Sequence, residues 1–390
     1  MSGAPSDRDD AVDRLGLYVH WPYCARICPY CDFNVYKAAN GDPDGLLAAM
    51  LDDLALWRDR VGPRTLTSLH FGGGTPSLMS PEAIGAVIEK ADALFGLATG
   101  AEIGLEANPA ERHRLVGIAS AGVERLSLGV QALDDASLAA LGRDHDAAAA
   151  LDAIEIAQSH FDRVSFDLIY AREGQSLEDW ARELTRAAGF GAGHLSLYQL
   201  TIEPGTAFQK RRDRGDLKPP DDDHAAAMFE LTQDVTEAAG LPPYEVSNHA
   251  RTPADQSAHN RLYWQGADWI GIGPGAHSRI GRADKAGRIS ASALRRPVDY
   301  ITGVSRGEAH QIEPLSAREE AVERVLMGLR LIEDGLNTAV TANITGTGMD
   351  PDRISALVGQ GVITSEAGVI RLTRKGRVFA DYAAQQLAPI

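Results

Sequence analysis

Three cysteines occur in the 390 residues, and all stand within the stretch CARICPYC at residues 24–31. Cys24, Cys28 and Cys31 follow a C-x3-C-x2-C spacing. Thiolates serve as metal ligands or nucleophiles, and three of them this close together suit metal chemistry. Structural zinc usually closes four ligands, and His20, just before Cys24, could complete a Cys3His set. Such zinc sites commonly pair CxxC knuckles from two separate segments, and this sequence carries no second knuckle. A [4Fe–4S] cluster held by three cysteines instead leaves one iron without a protein thiolate, an open position for chemistry. A nucleophilic or redox-sensing cysteine would need a partner constellation that the sequence does not display.

Other groups able to do chemistry recur at regular places. Residues 16–21, 68–73, 102–108, 125–131, 163–170 and 194–200 are short β-branched or aromatic runs that read as six strands. Amphipathic stretches at 43–57, 81–95, 136–142, 145–160 and 176–189 read as the helices between them. Such alternation demands parallel strands joined by right-handed crossovers, in a barrel or an open wound sheet. His20, Gly72, Gly73, Gly74, Glu106, Asn108, Gln131, Asp167 and Gln199 fall at or just after the C-terminal ends of those strands. A barrel brings these ends to one mouth, so the expected fold is α/β, a partial (β/α)6 TIM-like barrel with an open side that suits a large substrate.

Composition frames the rest. With 44% hydrophobic residues the chain can bury a core, and a net charge of -16 argues against general nucleic-acid binding. The first residues lack the basic and apolar regions of a signal peptide, and no apolar run approaches the roughly 20 residues of a membrane span. A clustered, odd cysteine set is a poor disulfide framework, so a reducing, cytoplasmic setting is expected. The expected organisation is a tail at 1–15, the barrel at 16–205, a connector with a Gly- and aromatic-rich region at 206–314, and a C-terminal unit at 315–390. The charged run at 210–224 reads as solvated surface, and residues 224–240 as a helix. The C-terminal unit reads as a long helix followed by helix, hairpin and helix, like a winged helix. From Arg318 onward it carries 8 Lys and Arg against 9 Asp and Glu, so packing is the better reading than DNA binding.

YVHWPYCARICPYCDFNVY resembles the signature of the radical SAM superfamily, with Tyr30 as the aromatic before the third cysteine. The resemblance implies a [4Fe–4S] cluster on Cys24, Cys28 and Cys31 whose open iron is chelated by the amino and carboxylate groups of S-adenosylmethionine. In that family the reduced cluster gives one electron to cleave the sulfonium, forming a 5′-deoxyadenosyl radical. FGGGTPS at 71–77 is similar to the glycine motif that receives the methionyl amino group, although alone it could be an ordinary strand-to-helix turn capped by Ser80. The resemblance assigns Arg143 to the carboxylate and Glu106, Gln131 and Asp167 to amino and ribose groups. Tyr18, Tyr30, Gly72, Gly73, Gly74 and Thr75 complete the expected cofactor set.

YVHWPYC, FGGGTPS, RLSLGVQ, FDLIYA, HNRLYW and GIGPGAHS match in order the oxygen-independent coproporphyrinogen III oxidase group, over roughly residues 16–390. Two branches differ here. The true oxidase carries a fourth cysteine two residues after the third and a longer N-terminal arm, whereas this sequence has Phe33 and only about twenty residues before the motif. CDFN and HNxxYW (His259, Asn260, Tyr263, Trp264) are instead similar to the haem chaperone branch. That resemblance implies binding of haem and its transfer to respiratory haem proteins at the membrane, with cluster and cofactor serving regulation or dimerisation. It also implies a homodimer and a peripheral association with the membrane. The oxidative decarboxylase is the alternative. His259 is the leading candidate for an axial haem ligand, with Tyr263 and Trp264 offering flat faces. His249 and His277 are further imidazoles, and His259 could equally cap and anchor a packing helix. The glycines of GIGPGAHS read as structural, because a G-x-G-x-G without a Rossmann context is weak evidence for a nucleotide.

Overall fold

The computed structural model describes residues 14–281 and 287–389, so the expected tail lies outside the described residues apart from positions 14 and 15. All six expected strands are present: β1 (Leu15–Trp21), β4 (Leu66–Gly73), β5 (Leu97–Ala107), β6 (Arg125–Gln131), β7 (Arg163–Tyr170) and β8 (His194–Gln199). The labels β2 (Tyr23–Cys24) and β3 (Tyr36–Lys37) denote two short strands that pair with each other and close the base of the cysteine loop. The six pair in parallel in sequence order. Between them run α1 (Pro43–Val61), α2 (Pro81–Phe95), α3 (Leu115–Ser120), α4 (Asp135–Ala140), α5 (Ala147–His160) and α6 (Leu177–Ala188). The sequence starts these helices by local means. Asp42, Ser80, Asp134, Asp146 and Ser176 each accept a hydrogen bond from a first-turn amide, which satisfies donors that a helix leaves open. Their inward residues, among them Trp57, Ile84, Ile154 and Trp180, pack against buried strand residues such as Leu17, Leu69, Leu105 and Phe166 in one core.

The sheet does not end with the six strands. After α7 (Ala207–Asp213) and α8 (Asp222–Ala238), β9 (Asn248–Ala250) pairs antiparallel with β8. Following α9 (Ala258–Trp264), β10 (Asp268–Ile272) pairs parallel with β1, and β11 (His277–Gly281), β12 (Arg288–Ala293) and β13 (His310–Pro314) extend that edge antiparallel. Among the described residues the result is one sheet of eleven strands in the order β13-β12-β11-β10-β1-β4-β5-β6-β7-β8-β9. Residues 206–314 are thus integrated into the sheet. The charged run at 210–224 is mostly exposed, as expected, and contributes the end of α7 and the start of α8.

Among the described residues no helix is long and apolar enough to cross a membrane. Following α10 (Pro297–Arg306), the C-terminal part holds α11 (Ala317–Gly328), β14 (Leu336–Asn337), α12 (Thr338–Thr345), α13 (Pro351–Gly359), the hairpin β15 (Ile363–Glu366) and β16 (Val369–Leu372), and α14 (Ala380–Leu387). Its three strands lie in the order β14-β16-β15, and Val325, Leu336, Leu357, Ile370 and Leu387 share a separate core. The long helix expected from 317 stops at Gly328, where an added Cβ would lie 3.0 Å from the side chain of Leu336.

Candidate functional site

β1 carries the chain to the C-terminal end of the sheet, and the cysteine loop begins there. The Cys31 amide donates to the Cys28 carbonyl at 3.1 Å, forming a turn that brings the last two thiols together. Cys24 is buried, whereas Cys28 and Cys31 are half-buried, and all three are free thiols. All three line a cavity of about 380 Å3. Burial raises the Cys24 pKa despite a hydrogen bond with Thr75, and burial pushes Cys31 up to about 11. Without a metal, the Cys24 and Cys31 thiols are thus biased toward the protonated form, and metal binding would release the protons. His20 is already committed: its Nδ1 lies 3.0 Å from Tyr18 Oη and its Nε2 3.0 Å from the Asn34 carbonyl. Those bonds remove it as the fourth ligand of a zinc site. Among the described residues no three His, Cys, Asp or Glu side chains are gathered tightly enough for a single metal ion. A cubane places each cysteine on a different iron and so accepts a more spread set of sulfurs.

Strand ends form the rest of the wall. Gly73, Gly74 and Thr75 after β4, Glu106 and Asn108 at β5, Gln131 at β6, Asp167 on β7, and Tyr198 and Gln199 on β8 all face the same cavity as the cysteines. In a flat sheet the ends of β1 and β8 would lie about 24 Å apart, five spacings of about 4.8 Å. One cavity touching all of them requires the sheet to curl, which makes the mouth of a partial barrel.

Arg143, in the loop after α4, is the cation of this wall. Its Nη1 donates to Cys28 Sγ and to Tyr30 Oη, each at 3.3 Å, and its Nη2 to Asn108 Oδ1 at 3.0 Å and the Gly129 carbonyl at 3.2 Å. Burial opposes its charge, but Tyr30 and Cys28 outweigh that and raise its pKa. Glu106 accepts from the Gly73 amide at 3.2 Å, and its other oxygen lies 3.4 Å from His70 Nε2. Asp167 accepts from Ser127 Oγ at 2.9 Å, and burial pushes its carboxyl up to about 6. Gln131 stands at a break in the β6–β7 register with a φ of 68°, a left-handed conformation that costs a non-glycine residue energy. Its buried Oε1 and the Nε of Arg143 have no hydrogen-bond partner among the described residues. A lined cavity with a spare acceptor and a spare cationic donor fits a ligand that carries both an ammonium and a carboxylate.

Two expected cofactor residues stand behind the wall. Tyr18 is hydrogen-bonded to His20 and is not among the cavity-lining residues. Gly72 also stands back, and a Cβ there would lie 2.8 Å from Tyr18 Cε2 and 3.0 Å from Glu106 Oε1. The first glycine therefore permits close packing of the turn onto β1 and Glu106. Ser80 does cap the following helix. Ser127 and Tyr198 line the cavity without having been expected. Ser127 shares a face of β6 with Gly129 and Gln131, so the two-residue period of a strand could have revealed it.

The HNxxYW stretch lies on α9, apart from the cavity. His259 is 2% exposed, with Nδ1 3.0 Å from Ser68 Oγ and Nε2 2.7 Å from Tyr263 Oη. Its ring stacks on His70 at 4.8 Å, and burial holds its pKa well below the ordinary value. Both nitrogens are spent inside the protein, so the fold does not present His259 as an axial haem ligand. Trp264 lies under the Arg330 guanidinium at 4.5 Å, and Tyr263 packs edge-on against Trp269 at 4.6 Å. His249 is 1% exposed, whereas His277 is on the surface.

Comparison with known proteins places these features in context. Residues 18–187 match the model of the radical SAM superfamily. The chain is 35% identical over 383 residues to the haem chaperone HemW of Mycobacterium tuberculosis (strain CDC 1551 / Oshkosh), covering 96% of this chain and 94% of that protein. It is 42% identical over 281 residues to the mitochondrial radical S-adenosyl methionine domain-containing protein 1 of Mus musculus, covering 71% of this chain and 63% of that protein. Among solved structures, coproporphyrinogen III oxidase (HemN) from Escherichia coli superposes with a TM-score of 0.80 at 23% identity, over 96% of this chain and 90% of that one. That last likeness establishes the shared fold, including the large parallel sheet.

Proposed function

Because this chain belongs to the radical SAM superfamily and, within it, to the HemW family, we propose that it is a haem chaperone that carries a [4Fe–4S] cluster and S-adenosylmethionine. The observation that carries the cofactor assignment is the single cavity of about 380 Å3 lined by Cys24, Cys28, Cys31, Gly73, Gly74, Thr75, Glu106, Gln131, Arg143 and Asp167. The three cysteines would hold the cluster, and cluster and cofactor together supply one-electron chemistry when bound. Arg143 keeps a full positive charge beside Cys28 and presents its unbonded Nε to a carboxylate. Glu106 and Asp167 offer acceptors to an ammonium and to ribose hydroxyls, and Gln131 offers its spare Oε1. Tyr30 closes the loop over this wall by packing on Phe208 at 6.1 Å.

The haem reading draws on the HemW relatives and on Phe33, which is 61% exposed at the rim of the cavity. We take the setting to be the cytoplasm, with delivery to haem-requiring respiratory proteins at the membrane surface, and the active form to be a homodimer. The C-terminal unit serves packing in a winged-helix-like form.

Anaerobic reconstitution tests the proposal. The protein should take up about four irons per chain with matching sulfide. S-adenosylmethionine should alter the electron paramagnetic resonance of the reduced cluster, haem should give a Soret shift, and coproporphyrinogen should yield no protoporphyrinogen. Stoichiometric zinc without sulfide would defeat the cluster assignment. Protoporphyrinogen formation would favour the oxidase over the chaperone.

A further inference from the structure

The chain has eleven histidines, and the fold commits most of them. His20, His145, His194 and His259 each have both ring nitrogens hydrogen-bonded within the protein. His249 is buried, His310 is buried against Asp53 at 2.8 Å, and His70 lies between Glu106 and the His259 ring. His224 Nε2 faces the Gln175 carbonyl at 2.9 Å. Three imidazoles stand exposed: His113, His160 and His277. His160 ends α5 with Nδ1 2.9 Å from the Ile156 carbonyl, and no hydrogen bond orients the ring of His113 among the described residues.

His277 differs in being held. It opens β11 at the same end of the sheet as the cysteine loop, directly across from Ser292, whose Oγ lies 3.0 Å from its Nδ1. A metal-binding imidazole is commonly fixed through its other nitrogen in this way. Nε2 has no hydrogen-bond partner among the described residues, and the residue is exposed.

The surroundings suit a flat, apolar, dianionic ligand. Asn34 Nδ2 donates to the Pro274 and Arg295 carbonyls, each at 2.8 Å, and the Gly275 amide donates to the Leu294 carbonyl at 3.1 Å. These bonds join residues 33–36, 273–277 and 292–298 into one patch. Phe33, Leu294 and Val298 are exposed there to 61%, 38% and 56%. Arg295, whose Nε reaches Asn34 Oδ1 at 3.4 Å, and Arg296, 3.6 Å from the Asp299 carboxylate, add cations to the patch in a chain whose net charge is -16.

We propose that His277 is the axial ligand of a porphyrin iron, bound through Nε2, with Ser292 fixing the ring and Arg295 and Arg296 receiving the two propionates. This rests on the haem-carrier reading. It moves the site from the HNxxYW helix to the edge of the sheet beside the cysteine loop.

Ferric haem is titrated by absorbance into the reconstituted wild type and into His277→Ala, Ser292→Ala, His113→Ala and His259→Ala. The expected result is a Soret band in wild type that His277→Ala loses and free imidazole restores, with an affinity loss of roughly tenfold in Ser292→Ala. His277→Ala should melt like wild type because its side chain is exposed. His259→Ala should melt lower yet keep the wild-type band at a temperature where it is folded. A wild-type band and affinity in His277→Ala, or loss of the band in His113→Ala or folded His259→Ala instead, overturns the assignment. No band in the wild type overturns the haem-carrier reading itself, and this one with it.

Discussion

Replacing Arg143 by alanine tests the cavity assignment most directly, because one side chain joins the cysteine loop to two strand ends. The guanidinium makes four hydrogen bonds, to Cys28 Sγ, Tyr30 Oη, Asn108 Oδ1 and the Gly129 carbonyl. Bonds from a charged donor are worth about 1.5–3 kcal/mol each, but those sharing one donor are far from additive. Asn108 Oδ1 would keep the neighbouring His145 ring 3.1 Å away, so the Gly129 carbonyl suffers the clearest loss. The net destabilisation should be about 2–4 kcal/mol, read as a lower urea midpoint for the unreconstituted protein. The unbonded Nε is the group assigned to the cofactor carboxylate, and its loss should weaken S-adenosylmethionine binding by about 1.5–3 kcal/mol, roughly tenfold to 150-fold. Equilibrium binding to variants with full iron content separates this from loss of fold. Arg143→Lys should recover part of the stability and little of the binding, since one ammonium cannot span Cys28 and Gly129 together. Full cofactor affinity in an iron-loaded Arg143→Ala variant would refute the carboxylate assignment.

Two further predictions concern the fold around the site. Asp167 has its pKa raised from 3.8 to about 6 by burial, so the folded state holds its proton longer than the unfolded state. Its stabilising share is therefore complete below about pH 4 and lost as pH rises through about 6, a change of at most roughly 3 kcal/mol. Asp167→Asn should then have a higher urea midpoint than wild type at neutral pH and converge with it near pH 4; a difference that does not vary with pH counts against the assignment. Glu102, 1% exposed, accepts from the Ala258 and His259 amides at 3.0 Å each and pairs with Arg163 at 3.2 Å. Glu102→Ala should cost about 3–5 kcal/mol and Glu102→Gln less, and a cost under about 1 kcal/mol in both would show that this carboxylate does not anchor α9.

The sequence was most legible in the central parallel strands. Residues 125–131 and 163–170 are strands to the residue, because short β-branched runs bounded by turn signals have few other uses in a chain with alternating helices. The added edge was not legible. β11 and β12 read HSRIG and RISASA, too polar and too rich in small residues to declare themselves, and only pairing with β10 and with each other makes them strands. The cysteine spacing and the strand-end polar groups could be read without coordinates because both are local. Depth within the barrel could not. Whether Tyr18 or Gly72 faces the ligand or the neighbouring strand depends on how the sheet curls, and the freedom of a histidine nitrogen depends on partners far away in sequence.

His259 illustrates this dependence on distant partners. Its two ring nitrogens meet Ser68, 191 residues away, and Tyr263, four residues on. Residues four apart lie on one face of a helix, so the spacing from His259 to Tyr263 is what this hydrogen bond requires. Ser68 and His70 share one face of β4, the first bonding the imidazole and the second stacking on it. Tyr263 then meets Trp269 on β10, and Trp264 turns the other way to Arg330 in the C-terminal part. The spacing of the motif is thus accounted for by the contacts that tie α9 to β4, to β10 and to the C-terminal unit.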